Sequence, residues 1–201
     1  MIARLVEPTR GQVLIGGEDV AAFPLQRLRG AIGIAQQEPF LFSDTLRGNI
    51  SLGLAAEQEE TTHWAADIAQ LTSDVELFPQ GFDTLLGERG VTLSGGQRQR
   101  TAISRAVARN PALLILDDVL SAVDTQTEAR VLSRLLEVVR GRTSVIVSHR
   151  VSALRHADVI VVIENGRIVQ QGSHARLLAR PGYYRELEEI QRLEAELEAG
   201  T

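Results

Sequence analysis

Three near-continuous apolar runs in the second half of the chain constrain its fold more than any other feature. They are Leu113–Leu116, Ser144–Val147 and Val159–Ile163, and each has the length of a strand. Runs that lack polar alternation are typical of strands buried on both faces. Helical patterns at about 126–139 and 151–156 separate them. This alternation predicts an α/β domain with a mostly parallel sheet.

The first half predicts two short strands, Val13–Ile15 and Ala31–Ile34, and then a helical insertion. The helical pattern runs from about 43 to 110, with three apolar residues at helix spacing: Trp64, Ile68 and Leu71. Residues before Pro8 are interpreted as the tail of a helix that Pro8 and Gly11 end.

The last part predicts a hairpin and a terminal helix. An Asn165-Gly166 pair is a two-residue turn signal between strands. A Glu-rich helical pattern occupies about 181–201, with Leu187, Ile190, Leu193 and Leu197 on one side. We expect this helix to dock on its own domain. No repeat or linker divides the chain, so residues 1–201 are interpreted as one domain.

Composition excludes several classes of protein. A net charge of −5 argues against a general nucleic-acid or anionic-membrane binder. No cysteine is present, which excludes disulfides and thiolate metal sites. No stretch approaches the roughly 18–20 apolar residues of a membrane-spanning helix. All 21 basic residues are arginine.

The segment Ser94-Gly95-Gly96-Gln97 predicts an anion-binding helix start. Serine is a good N-cap, and a glutamine three residues later completes a capping box. Two glycines in a first helical turn cost roughly 1 kcal/mol each relative to alanine. Close approach of the backbone to an anion at the positive end of the helix is a reason to keep them.

Asp117 follows the first apolar run directly, and Asp118 comes next. Open α/β sheets bind ligands at the carboxyl ends of their strands. Magnesium prefers one or two carboxylates together with substrate phosphates. We therefore interpret Asp117 as a magnesium ligand, although a strand-end aspartate can also simply cap a turn.

Leu93-Ser94-Gly95-Gly96-Gln97 followed by this acidic strand end resembles the ATP-binding cassette (ABC) ATPases. The resemblance implies a P-loop NTPase-like α/β core with a helical subdomain. It also implies that the five signature residues bind ATP in trans, on the γ-phosphate held by a second domain. Asp117 resembles the Walker B ligand of Mg²⁺.

The same resemblance implies roles for three more residues. Asp118 stands where the family usually has a glutamate general base, and its shorter side chain predicts slow hydrolysis. Gln37, directly before Glu38-Pro39, resembles the glutamine that reaches magnesium and senses the γ-phosphate. His149 resembles the histidine that orients the attacking water. The other histidines, His63, His156 and His174, match no motif and are expected at the surface.

Two loops complete the resemblance. Ser121 and Asp124 match the D-loop at the dimer interface, and Asp124 is also a candidate helix N-cap. Glu88 and Arg89 match a loop through which ABC exporters contact their membrane domains. The stretch 40–50 is also similar to exporters.

The resemblance begins at the helix that normally follows the phosphate-binding loop of the family. It therefore includes neither that loop nor the strand before it. Such a loop reads G-x-x-x-x-G-K-[ST]. The glycine spacing occurs at Gly11–Gly16 and Gly90–Gly95, yet the chain has no lysine. We therefore expect the 201 residues alone to be inactive and to bind ATP poorly.

Taken as a whole, the resemblance implies part of an exporter that couples Mg-ATP hydrolysis to transport. Its partners would be a second nucleotide-binding domain, in a heterodimer rather than a homodimer, and transmembrane domains, with no nucleic acid. Its place would be the cytoplasmic face of a bacterial inner membrane, while these residues alone would be soluble. Two alternatives stay open: a vestigial or regulatory fragment, and a soluble ABC ATPase acting on nucleic acid or ribosomes.

Overall fold

The computed structural model describes residues 1–54, 58–87 and 92–199 as an α/β fold. It divides into two compact units, Met1–Val145 and Ile146–Thr201. The strands are β1 (Leu14–Ile15), β2 (Glu18–Asp19), β3 (Ile32–Ala35), β4 (Leu113–Asp117), β5 (Thr143–Val147), β6 (Ile160–Glu164) and β7 (Arg167–Gly172). The helices are α1 (Leu25–Gly30), α2 (Leu46–Ile50), α3 (Glu59–Ile68), α4 (Thr72–Val75), α5 (Gly95–Ala108), α6 (Thr125–Val139), α7 (Val151–Leu154), α8 (His174–Leu178) and α9 (Tyr183–Ala199).

The central sheet has the strand order β3-β4-β5. β3 and β4 pair in parallel, in the register Ile32 with Leu113 through Ala35 with Leu116. Helix α5 packs closely on β3, since a Cβ at Gly33 would clash with the Ala106 carbonyl group of α5, whose carbon would lie 3.2 Å away. Parallel pairing brings the carboxyl ends of both strands to one edge. The third apolar run instead forms β6, which pairs antiparallel with β7.

The helical pattern of residues 43–110 forms α2 to α5. Their buried side chains come from all four helices and the turns between them, and Ile68 and Leu71 are among them. Trp64 lies in α3 with 40% of its surface exposed. The spacing of apolar residues thus correctly indicated a helix, although not all of these residues belong to the core.

The second unit contains the predicted hairpin and terminal helix. β6 and β7 pair antiparallel around Asn165 and Gly166, whose φ values are +49° and +73°. Those left-handed values are what a two-residue Asn-Gly turn requires. A small core contains Val151, Ile160, Leu177 and Tyr184, and Leu187 of α9 packs against it. The rest of the apolar side of α9, Ile190, Leu193 and Leu197, is exposed.

The predicted helix before Pro8 is wrong. Met1 to Arg4 form a turn, in which the Arg4 amide donates to the Met1 carbonyl, and Arg4 has φ +50°. The Arg29 side chain donates to the carbonyls of Ala3 and Arg4 at 3.1 Å each. A side chain from α1 thus takes the carbonyls that a continuing helix would use.

Across residues 1–54, 58–87 and 92–199, no helix combines the length and the apolarity needed to cross a bilayer.

Candidate nucleotide site

The carboxyl edge of the β3–β4 pair places Gln37 beside Asp118. The Gln37 Nε2 donates to Asp118 Oδ2 at 3.3 Å, although 81 positions separate the two residues. Asp117 ends β4, and its side chain is exposed at the same edge. Asp118 has φ +47°, a left-handed conformation that aspartate tolerates better than most residues. The geometry therefore brings together two of the residues that the sequence pointed to.

The donor set at this edge suits magnesium. An exposed carboxylate and an amide supply the hard oxygen donors that Mg²⁺ takes, while leaving positions for phosphate and water. Among the described residues, no group of three or more His, Asp or Glu side chains could hold a metal ion by itself. An ion here would therefore depend on phosphate oxygens for the rest of its ligands.

The signature segment forms the predicted capping box at the start of α5. The Gln97 amide donates to Ser94 Oγ at 3.2 Å, and the Ser94 amide donates to Gln97 Oε1 at 2.9 Å. Ser94 itself is exposed. The first-turn N–H groups of a helix have no partner within it, so this end of α5 carries a partial positive charge. Buried Leu93 anchors the segment from the other side.

The two glycines of the signature allow close packing against the loop before α6. A Cβ at Gly96 would lie 2.9 Å from the Ala122 carbonyl oxygen, and one at Gly95 would lie 3.3 Å from Ala122 Cβ. Both distances are tighter than a side chain would accept without a shift. Approach to an anion is thus not the only reason for glycine here.

Asp74 of α4 holds the signature helix, and sequence reasoning missed it. It accepts from Gln97 Nε2 at 2.8 Å and pairs with Arg100 at 2.6 Å. The pair is mostly buried, with 12% of the Arg100 side chain and 17% of the Asp74 side chain exposed. Both polar atoms of the Gln97 amide are therefore engaged inside the protein. No fixed spacing in the sequence links these residues.

The Ser121–Asp124 loop joins β4 to α6. The Ser121 Oγ donates to the Asp118 carbonyl at 3.0 Å and accepts from Gln99 Nε2 at the same distance. Asp124 accepts from the Thr127 amide at 2.9 Å and is the N-cap of α6, as predicted. This hydrogen bond from Thr127 lowers the pKa of the Asp124 carboxyl. The D-loop role of Ser121 and Asp124 stays a prediction.

His149 lies in the second unit, after β5. Its imidazole is exposed, and its carbonyl accepts from Gln191 Nε2 of α9 at 2.7 Å. His63 and His156 are exposed as expected. His174 is not a plain surface residue, because it is half-buried and its Nδ1 lies 2.9 Å from the hydroxyl of buried Tyr184.

The stretch after Gln37 exposes two aromatic rings, and Glu88 and Arg89 lie outside the described residues. Phe40 is 69% exposed and Phe42 46%, and their rings meet edge to face. Buried Asn49 fixes this stretch by bonding the Phe42 amide and carbonyl at 2.8 and 3.0 Å. Arg105 donates to the Phe40 carbonyl at 2.8 Å, and burial lowers the pKa of its guanidinium.

Comparison with known proteins gives the same family. The family model for ABC transporters matches residues 1–121. The chain is 45% identical over 192 residues to an ATP-dependent lipid A-core flippase of Aromatoleum aromaticum. The matched segment covers 95% of this chain and 32% of the flippase. It is 46% identical over 191 residues to the uncharacterized ABC transporter ATP-binding protein YknU of Bacillus subtilis, covering 95% of this chain and 33% of YknU.

A solved structure of a bacterial Atm1-family ABC exporter with ATP bound superposes with a TM-score of 0.90 at 40% identity. The match covers 95% of this chain and 34% of that one. The chain thus spans about a third of the length of the relatives it matches. The family match over more than half the chain, together with the capped signature helix, shows that this chain belongs to the ABC transporter family, within its ATP-binding domain.

Proposed function

We propose that this chain is the ATP-binding part of an ABC exporter and that its α5 start binds the γ-phosphate of Mg-ATP held by a second domain. The observation that carries the proposal is one compact unit that holds an intact, exposed signature cap and the Gln37–Asp118 pair. The first-turn amides and the helix dipole suit an anion. Gln97 acts by holding Ser94, since Asp74 and the Ser94 amide occupy its own polar atoms.

In the chain's own site, Asp117 and Gln37 would hold Mg²⁺ together with the phosphates. The ion supplies charge neutralisation to the phosphoryl group. Asp118 is the general base for the attacking water. The role of His149, orienting water in the assembled exporter, rests on the family resemblance and on the ability of either ring nitrogen to donate or accept near neutral pH. A base contributes ~10²–10⁴-fold, so a carboxylate one methylene too short makes this site slow.

The proposed partners are a second nucleotide-binding domain, in a heterodimer, and the transmembrane domains of an exporter. Ser121 and Asp124 would lie at the interface between the two nucleotide-binding domains. Exposed Phe40 and Phe42 suit a protein contact. Glu88 and Arg89 are proposed as the residues that couple the chain to the transmembrane domains. The net charge of −5 gives no support to a nucleic-acid partner.

A second candidate is a regulatory or vestigial protein without turnover, because Asp118 is shorter than the glutamate that the family usually has at the general-base position. The 201 residues themselves contain no lysine. A phosphate-binding loop uses a lysine to reach the β- and γ-phosphates. We propose that the 201 residues bind ATP weakly by themselves and that the signature serves a triphosphate held elsewhere. Titration calorimetry of the chain with Mg-ATP measures this affinity for ATP.

A chimera tests the exporter proposal. The chain replaces the 192 matched residues of the Aromatoleum aromaticum flippase, and the rest of that protein is kept. We expect Mg-dependent ATP hydrolysis that Ser94→Asp abolishes. Aspartate is as good an N-cap as serine, so α5 stays intact while its carboxylate repels the phosphate. A chimera that binds ATP but hydrolyses it no faster than its Ser94→Asp variant would favour the second candidate.

A further inference from the structure

Gln99, a residue of α5 outside the signature, connects two loops of the first unit, the one that holds Gln37 and the Ser121–Asp124 loop. Only 5% of its surface is exposed. Its Nε2 donates to Ser121 Oγ at 3.0 Å and to the Gln37 carbonyl at 3.4 Å, and its Oε1 accepts from the Ala122 amide at 3.0 Å. Both N–H groups and the oxygen of this amide are therefore engaged. A buried amide with all partners satisfied fixes its neighbours strongly.

These bonds form part of a closed ring. Gln37 Nε2 donates to the Asp118 carboxylate at 3.3 Å, and Ser121 Oγ donates to the Asp118 carbonyl at 3.0 Å. The ring thus runs from Gln99 through Gln37, Asp118 and Ser121 and returns to Gln99. Asp118 is held from both sides, at its backbone and at its side chain.

The start of α5 and the Ala122 loop are also packed together without a gap. A Cβ at Gly96 would lie 2.9 Å from the Ala122 carbonyl oxygen. Gln99 lies three residues after Gly96, so both residues are on the same face of α5. Both of them contact Ala122, and this face of α5 therefore holds the Ser121–Asp124 loop. A shift of α5 therefore has to displace the loop that holds Asp118.

We infer that Gln99 is a positioning residue that couples the signature end of α5 to the Gln37–Asp118 pair. This inference rests on the proposed function. When the α5 start closes on a triphosphate held by the partner, Gln99 transmits its placement to the general base of the chain's own site. Gln99 is buried, so it acts on neither nucleotide directly. It acts through the Gln37 carbonyl, the Ser121 hydroxyl and the Ala122 amide.

The test compares Gln99→Met with Thr101→Val in the flippase chimera. Methionine keeps the length of glutamine and removes all three hydrogen bonds. Thr101 is a matched control, because it is fully buried on the same helix. Among the residues that the structure describes, its Oγ1 bonds only within that helix, to the Gln97 carbonyl at 2.8 Å. A displacement of about 1 Å at a reacting group can cost ~10²-fold. For Gln99→Met we expect kcat to fall about 10- to 100-fold, while the KM for ATP stays within about twofold of the parent chimera. For Thr101→Val we expect both kcat and KM to stay within about twofold of the parent.

Hydrogen exchange of the 201-residue chain itself supplies a second readout, without nucleotide. Amides of residues 118–122 should exchange faster in Gln99→Met and unchanged in Thr101→Val. Equal kcat losses in the two variants, or unchanged exchange at 118–122, would overturn the inference. A chimera without any hydrolysis would instead count against the proposed function, while the exchange experiment would still decide on the ring.

Discussion

Lengthening Asp118 to glutamate should raise ATP hydrolysis and lower stability at the same time. The Gln37 Nε2 approaches Asp118 Oδ2 at 3.3 Å, at the long end of a hydrogen bond. One added methylene moves the carboxylate outward by about 1 Å, the scale at which misplacement costs ~10²-fold. We therefore expect single-turnover hydrolysis in the chimera to rise about 100-fold, which is about 2.7 kcal/mol of barrier.

The backbone at Asp118 sets the cost of that change. Its φ of +47° lies in the left-handed region, where an ordinary side chain costs roughly 1–2 kcal/mol and aspartate less. Asp118→Glu should therefore lower the free energy of unfolding of the chain by about 1 kcal/mol. Asp118→Asn is the matched control, since asparagine also tolerates this region but provides no base. It should keep the stability and lose the remaining hydrolysis.

Single-turnover rates of the chimera with Mg-ATP measure the first effect, and thermal unfolding of the 201-residue chain measures the second. Each is compared between the parent, Asp118→Glu and Asp118→Asn. An Asp118→Glu chimera that binds ATP normally and hydrolyses it no faster than the parent would refute the reasoning about the short base. A rate increase without any loss of stability would leave the base argument intact and contradict the backbone argument.

Three further changes test the packing around the site. Asp74→Ala should lower the free energy of unfolding in urea by about 3–5 kcal/mol, because it removes the ion-pair partner of the mostly buried Arg100. Asp67→Ala breaks an ion pair that is 43–50% exposed and should lower it by at most about 1 kcal/mol. Equal losses in the two variants would contradict the role of Asp74 in holding the signature helix. Gly96→Ala should destabilise the chain by about 1–3 kcal/mol, because the new Cβ would press on the Ala122 carbonyl. Gly30→Ala is the control, since its Cβ would meet open space, and it should be neutral or stabilising by up to about 1 kcal/mol in the same assay. The pKa of the Asp124 carboxyl is lowered in the fold, so its charge stabilises the fold at pH values above its ordinary pKa of 3.8. The parent should therefore have a higher Tm than Asp124→Asn at neutral pH, and this difference should shrink as the pH falls below about 4. A Tm difference that does not depend on pH would contradict this reasoning.

Local signals predicted the strand β4, the capping box and the hairpin turn. The apolar run Leu113–Leu116 became β4, which ends one residue later, and the Ser94–Gln97 spacing formed both bonds of the box. Patterns of this kind follow from backbone geometry within a few residues, so a single sequence carries them. The Asn165-Gly166 turn belongs to the same class, since few residues accept its left-handed conformation.

Contacts between distant segments could not be predicted. Asp74 reaches Gln97 across 23 positions, and Gln99 reaches the Gln37 carbonyl across 62. Neither residue type nor spacing marks those pairs, because the fold alone brings them together. The same limit explains the error before Pro8, where an arginine 25 positions away takes the carbonyl of Arg4.

The trans action of the signature is the central claim, and complementation between two copies tests it most directly. Chimeras in the Asp118→Glu background carry either Ser94→Asp or Asp117→Asn, and two affinity tags isolate mixed pairs. A signature that serves the partner's nucleotide leaves one intact site in the mixed pair, so we expect mixed pairs to hydrolyse ATP while each variant paired with itself does not. Mixed pairs as inactive as their parents would contradict the account.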